Sequence, residues 1–131
     1  MEICVSLNEK TFADYLQISK NLDFVEIRLD LFNFSDIELQ QLLNLNSKFI
    51  VSFLDTKMQE VANVEKLKKA IDFGADIIDV DFNISKKNIK NIIEYARLKK
   101  CETIISYHNF NETPIKKKLN EIINRIKKFN S

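Results

Sequence analysis

Five runs rich in β-branched and aromatic residues recur along this chain, and segments with helical spacing lie between them. That alternation restricts the possible architectures more than any other feature. The runs are EICVSL at 2–7, FVEIRLDL at 24–31, KFIVSF at 48–53, ADIIDVDF at 75–82 and ETIISYHNF at 102–110. Between and after them, Leu39, Leu42 and Leu43 share one helical stripe. Ile89, Ile92, Ile93 and Ala96 form another, and Ile115, Leu119, Ile122, Ile123 and Ile126 a third. The punctuation agrees. Ser35 with Glu38 three residues on has the form of a capping box. Gly74, the only glycine, stands where a helix would end in a left-handed residue. Thr113 and the sole proline, Pro114, suit the N-cap and first position of a last helix.

Strands that alternate with helices pair in parallel through right-handed crossovers. The expectation is one α/β domain over residues 1–131, made of five βα units, and 131 residues suffice for a real core. It could be an open doubly wound sheet or a portion of a (β/α)8 barrel. Strands buried on both faces of an open sheet read as nearly pure apolar runs. Here Glu26, Arg28 and Asp30 alternate with Val25, Ile27 and Leu29, and Asp79 and Asp81 alternate with Ile78 and Val80. A period of two puts each charged set on one face. Helices would cover the other face, as in a barrel whose interior is polar near its C-terminal mouth.

Composition excludes several classes. Twenty basic against nineteen acidic residues leave a net charge of +1, with no overall pull toward nucleic acid or anionic membrane. Lys116, Lys117, Lys118, Arg125, Lys127 and Lys128 crowd one end, which reads as a solvated helix face rather than a nucleic-acid tail. Cys4 and Cys101 form no CxxC or Cys/His cluster, so no zinc site is expected, and Cys4 reads as a small core residue. Glu2 stands where a signal peptide would be basic, and no apolar run approaches a membrane span. A cytoplasmic protein with reduced thiols is expected.

The charged strands carry the candidate chemistry. Glu26 and Arg28 could simply pair with each other, and Asp79 and Asp81 could be solvated strand-end carboxylates. His108, the only histidine, could be structural. Together, near the ends of neighbouring strands, they suit proton transfer on a small anion. A carboxylate beside a histidine holds one tautomer and raises its basicity. An arginine offers a planar fork to a carboxylate.

The segments ICVSL, VEIRLDLF, DIIDVDF and ISYHNFNETP, in this order and spacing, resemble type I 3-dehydroquinate dehydratase. The resemblance implies a (β/α)8 barrel that dehydrates 3-dehydroquinate to 3-dehydroshikimate in the shikimate pathway of aromatic amino-acid biosynthesis. It implies that Ser6, Glu26 and Arg28 contact substrate, that His108 is general base and then general acid, and that Asp81 orients it. No metal or dissociable cofactor is implied. A lysine forms a Schiff base with the substrate ketone, and the iminium is the electron sink.

Three departures accompany the resemblance. The family's Schiff-base lysine lies on a sixth strand, and none of the lysines at 116–128 matches it, so the chain reads as a barrel portion truncated before that strand. Leu54 occupies the position of a substrate-binding arginine on the third strand. Asp81 replaces a glutamate and is one methylene shorter. These features predict weak or absent activity for the chain alone. They leave open a non-catalytic half-barrel that self-associates or binds a small carboxylate. A phosphate-binding βα enzyme is disfavoured, because one glycine makes no Gly-rich loop. The first and fifth strands should be open edges, with Val5 and Ile105 exposed, so a homodimer or a partner chain completing the barrel is expected.

Overall fold

The computed structural model describes residues 3–53 and 60–107. The elements run β1 (Val5–Leu7), α1 (Phe12–Lys20), β2 (Phe24–Arg28), α2 (Asp36–Leu43), β3 (Lys48–Ser52), α3 (Glu60–Asp72), β4 (Ile77–Asp81), α4 (Lys86–Leu98) and β5 (Glu102–Ser106). All strand pairs are parallel, in the order β1-β2-β3-β4-β5. The described residues form a five-stranded portion of a TIM barrel: each strand lies beside the one before it and every crossover carries a helix. The strands are shorter than the apolar runs that predict them, because the flanking residues turn into loops. Cys4 therefore falls before β1 and is exposed, while Cys101 is the buried thiol. The core role predicted for Cys4 belongs to Cys101. Burial and the nearby carboxylates of Asp76 and Glu102 push that thiol up to about 11, so it stays protonated at neutral pH.

The two faces of the sheet divide as the alternation predicts. Val25, Ile27, Phe49, Val51, Ile78 and Val80 are fully buried among the helices, which contribute Leu42, Leu67, Ile89 and Ile92 to the same core. Ile105 belongs to this face and is buried, contrary to the expected exposure. It shares the core with Ile92, Ile93 and Ala96 of α4, so the helix preceding β5 covers it. Its neighbour Ile104, on the opposite face, is the exposed one at 42%. Val5 is half-buried.

Local signals set the helix boundaries. Ser35 and Glu38 make the reciprocal capping box at the start of α2. Thr11 and Ser85 cap α1 and α4 through their hydroxyls. Gly74 follows α3 with φ of 110°, a conformation that side-chain-bearing residues rarely adopt. Lys100 takes the left-handed position after α4 with φ of 60°.

Ser19 on α1 is fully buried, and its hydroxyl has no partner, whereas its carbonyl accepts from Ser47 Oγ at 2.7 Å. Ser19→Ala removes an unsatisfied hydroxyl and keeps the carbonyl bond. We expect it to stabilise the fold by about 1 kcal/mol, a rise of about 3–5 °C in thermal midpoint. A fall of similar size in a calorimetric scan would show that the hydroxyl is satisfied in solution.

Glu60 ties the start of α3 to the start of α4. Its carboxylate accepts from Ser85 N at 2.9 Å and from the Asn88 side-chain amide. The backbone bond from Ser85 is the main cause that holds its pKa below the ordinary glutamate value. A depressed folded-state pKa contributes stability above the unfolded value, and that stability is lost as pH falls through the folded pKa. Glu60→Ala should therefore lower stability at neutral pH only modestly, by about 0.5 kcal/mol or less, because solvent screens this largely exposed carboxylate. The gap from the parent should narrow in acid, where the parent's carboxylate is protonated too. Denaturant midpoints of both proteins across the acid range check this; a constant gap would show that charge plays no part.

Candidate active site

Parity and register bring one polar row together. Ser6 on β1 is the Cα partner of Glu26 on β2, and Arg28 is the partner of Ser52 on β3. Ser52 in turn partners Asp79 on β4, and Asp81 partners Ser106 on β5. These residues share the sheet face opposite the helix-packed core, and Arg28, Ser52, Asp81 and Ser106 are the last residues of their strands. Side chains at the C-terminal ends of parallel strands converge on the mouth of a barrel, where its loops also gather. Toward the other end of the face the row turns partly apolar, with Ile50 beside Ile77.

Among the residues singled out from sequence, Ser6 is exposed, Glu26 and Arg28 are half-buried, and Asp81 is buried. His108 and Leu54 lie outside the described residues, as does the segment 108–131 that holds the basic cluster. Asp81 accepts from Asn83 N at 2.9 Å, a local turn that fixes where its carboxylate stands. Arg28 pairs with Asp30 rather than with Glu26: its Nη2 donates to Asp30 Oδ2 at 2.7 Å. Ser106 Oγ donates to Asp79 Oδ1 across β4 and β5. Glu26 also acts on its surroundings. With partial burial as the larger cause, its charge raises the pKa of Cys4.

Sequence reasoning passed over Asp30, Ser52 and Ser106 as functional residues, although all three have the inward parity. Asp30 was visible in the alternation but carried no assigned role. Ser52 is fully buried with a hydroxyl that has no partner, beside Arg28, whose Nε is likewise buried without one. Among the described residues, no three His, Cys, Asp or Glu side chains are grouped to hold a metal ion. Among them, too, no helix is long and apolar enough to cross a membrane.

The profile of the type I 3-dehydroquinase family matches residues 3–131. This chain belongs to that family. The 3-dehydroquinate dehydratase of Clostridioides difficile is 30% identical over 145 residues, a match covering 95% of this chain and 56% of the relative. That of Staphylococcus saprophyticus is 27% identical over 124 residues, covering 82% of this chain and 52% of the relative. Among solved structures, the type I 3-dehydroquinate dehydratase of Clostridium difficile superposes with a TM-score of 0.85 at 23% identity, over 99% of this chain and 59% of that one. The 3-dehydroquinate dehydratase of Aquifex aeolicus gives 0.77 at 25% identity, over 98% and 63%. The chain thus spans 52% to 56% of the length of these two curated relatives. Family membership accounts for the fold: the five parallel strands and four helices of the described residues match the barrel of these relatives.

Proposed function

We propose that this chain supplies the first five βα units of a 3-dehydroquinate dehydratase active site. The observation that supports the reading is that parity and register put Ser6, Glu26, Arg28 and Asp81 on one polar sheet face, in a chain of the type I family. Arg28 takes the substrate carboxylate, and Ser6 and Glu26 take its hydroxyls. His108 removes the C2 proton and then protonates the departing hydroxyl, which leaves as water; Asp81 orients the imidazole. The family's Schiff-base lysine has no counterpart among the lysines at 116–128, so dehydration by these residues alone is weak or absent.

Isothermal titration with 3-dehydroquinate tests binding, and borohydride reduction followed by intact mass tests imine formation. The expected result is binding without a stoichiometric lysine adduct. Failure to bind would sink the substrate assignment, and a stoichiometric adduct would show that a lysine within the 131 residues takes the Schiff-base role.

The assembly reading is that a second copy, or a chain completing the barrel, pairs with the sheet. It is supported by the positions of β1 and β5 at the two ends of the strand order and by the exposure of Ile104. Light scattering decides it: a monodisperse monomer at about 10 µM, where exposed edges associate, would overturn it. The reading carries a cytoplasmic location with it, supported by the free thiols of Cys4 and Cys101.

A further inference from the structure

We propose that Asp30 is a positioning residue for Arg28, and that the pair offers a ligand carboxylate only the outer, Nη1/Nη2 edge of the guanidinium. The proposal deepens the substrate-binding role given to Arg28 above and rests on it.

The backbone explains why Asp30 can do this. Leu29 N donates to Ser52 O at 2.8 Å, which extends the β2–β3 pairing one residue past the end of β2. Leu31 N then donates back to Arg28 O at 3.2 Å and closes a turn around Asp30. With its neighbours on both sides bonded, Asp30 has a defined position, and its carboxylate meets Arg28 Nη2 at 2.7 Å. The side chains are 28% exposed for Arg28 and 10% for Asp30, so the contact is shielded enough to constrain the guanidinium.

The same geometry closes one of the two ways an arginine can receive a carboxylate. Side-on binding uses Nε with one Nη, and end-on binding uses the two Nη groups. Arg28 Nε is buried and has no partner, so no ligand reaches it. With Nε shut off, a ligand carboxylate is left the Nη groups, whose angle Asp30 sets. A point charge at this position lacks that directionality, which separates arginine from lysine here.

The proposal makes a prediction opposite in sign to simple electrostatics. Removing a carboxylate from beside an arginine increases the local positive charge, which by itself tightens anion binding. Loss of positioning weakens it. In an NMR titration with 3-dehydroquinate, Asp30→Ala should bind about tenfold more weakly than the parent, and Asp30→Asn, which keeps an acceptor oxygen, should recover most of that loss. Ligand should shift the Arg28 Nη resonances and leave Nε–H in place. Equal or tighter binding by Asp30→Ala, or a ligand-induced shift at Nε–H larger than at Nη, overturns the proposal. If the parent takes up no 3-dehydroquinate, the substrate reading fails by itself, and the role of Asp30 is decided in the free protein. Rotation about the Arg28 Cζ–Nε bond should be slow in the parent and faster in both a folded Asp30→Ala and, to a smaller extent, Asp30→Asn. Equal rotation rates in parent and variants would overturn it.

Discussion

Phe49→Ala should destabilise the fold by about 4 kcal/mol, the largest stability effect expected of a single substitution here. Phe49 is fully buried on the helix-packed face of β3, the central strand of the sheet. It is the Cα partner of Val25, and its backbone is tied at both polar groups: its N donates to Asp76 Oδ2 at 2.8 Å, and its carbonyl accepts from Asp76 N at 3.1 Å. Those bonds keep the strand in register, so the surrounding side chains have little freedom to close over the lost ring. A cavity that cannot collapse carries the full transfer and packing cost. Small domains hold only about 5–15 kcal/mol in total, so this loss is a large share of it. Urea unfolding should show a lowered midpoint with an unchanged slope. A drop below about 1 kcal/mol would mean that the core around β3 repacks freely.

Arg28→Ala should weaken 3-dehydroquinate binding by about 100-fold, roughly 2.7 kcal/mol, while leaving the melting temperature within a few degrees of the parent. The expected loss is large because the guanidinium is the group assigned to the substrate carboxylate, and a charge-assisted pair is worth more than a neutral hydrogen bond. The expected effect on folding stays at a few degrees because the β2 core contacts belong to Val25 and Ile27, which point the other way, so the cost is that of the lost Asp30 pair. Arg28→Lys keeps the charge and loses the planar fork, so it should fall between parent and alanine. Titration calorimetry on the three proteins separates the cases. If lysine binds as well as arginine, charge alone accounts for the site. If alanine binds as well as the parent, the carboxylate goes elsewhere.

The polar face of the sheet was legible because a strand has a period of two. Once Val25 and Ile27 are taken as core, Glu26 and Arg28 must face the other way, and the same logic carries Asp81 to their side of the sheet. The capping box at Ser35 and the left-handed residue at Gly74 were legible for a similar reason: each is decided by atoms within a few residues of chain. Exact strand ends were not. The β-prone runs extend beyond the paired residues, so Cys4 read as core although β1 begins only at Val5.

What the amino-acid sequence determined by itself was the alternation of strand and helix, the face on which each side chain falls, and the family motifs that go with them. Those follow from local periodicity and from residue type. Only the tertiary structure decided which polar atoms meet. Glu26 and Asp30 each stand two residues from Arg28 in sequence, and periodicity treats them alike. The turn closed by Leu31 N on Arg28 O, together with the bond from Leu29 N to β3, brings Asp30 round to the guanidinium instead. Ser52 reaches its place beside Arg28 by strand pairing across more than twenty residues of chain, and Ser106 reaches Asp79 in the same way. Ile105 is covered because α4 folds back over the strand it precedes. In each case the deciding contact depends on how separate segments pack, which a local pattern does not contain.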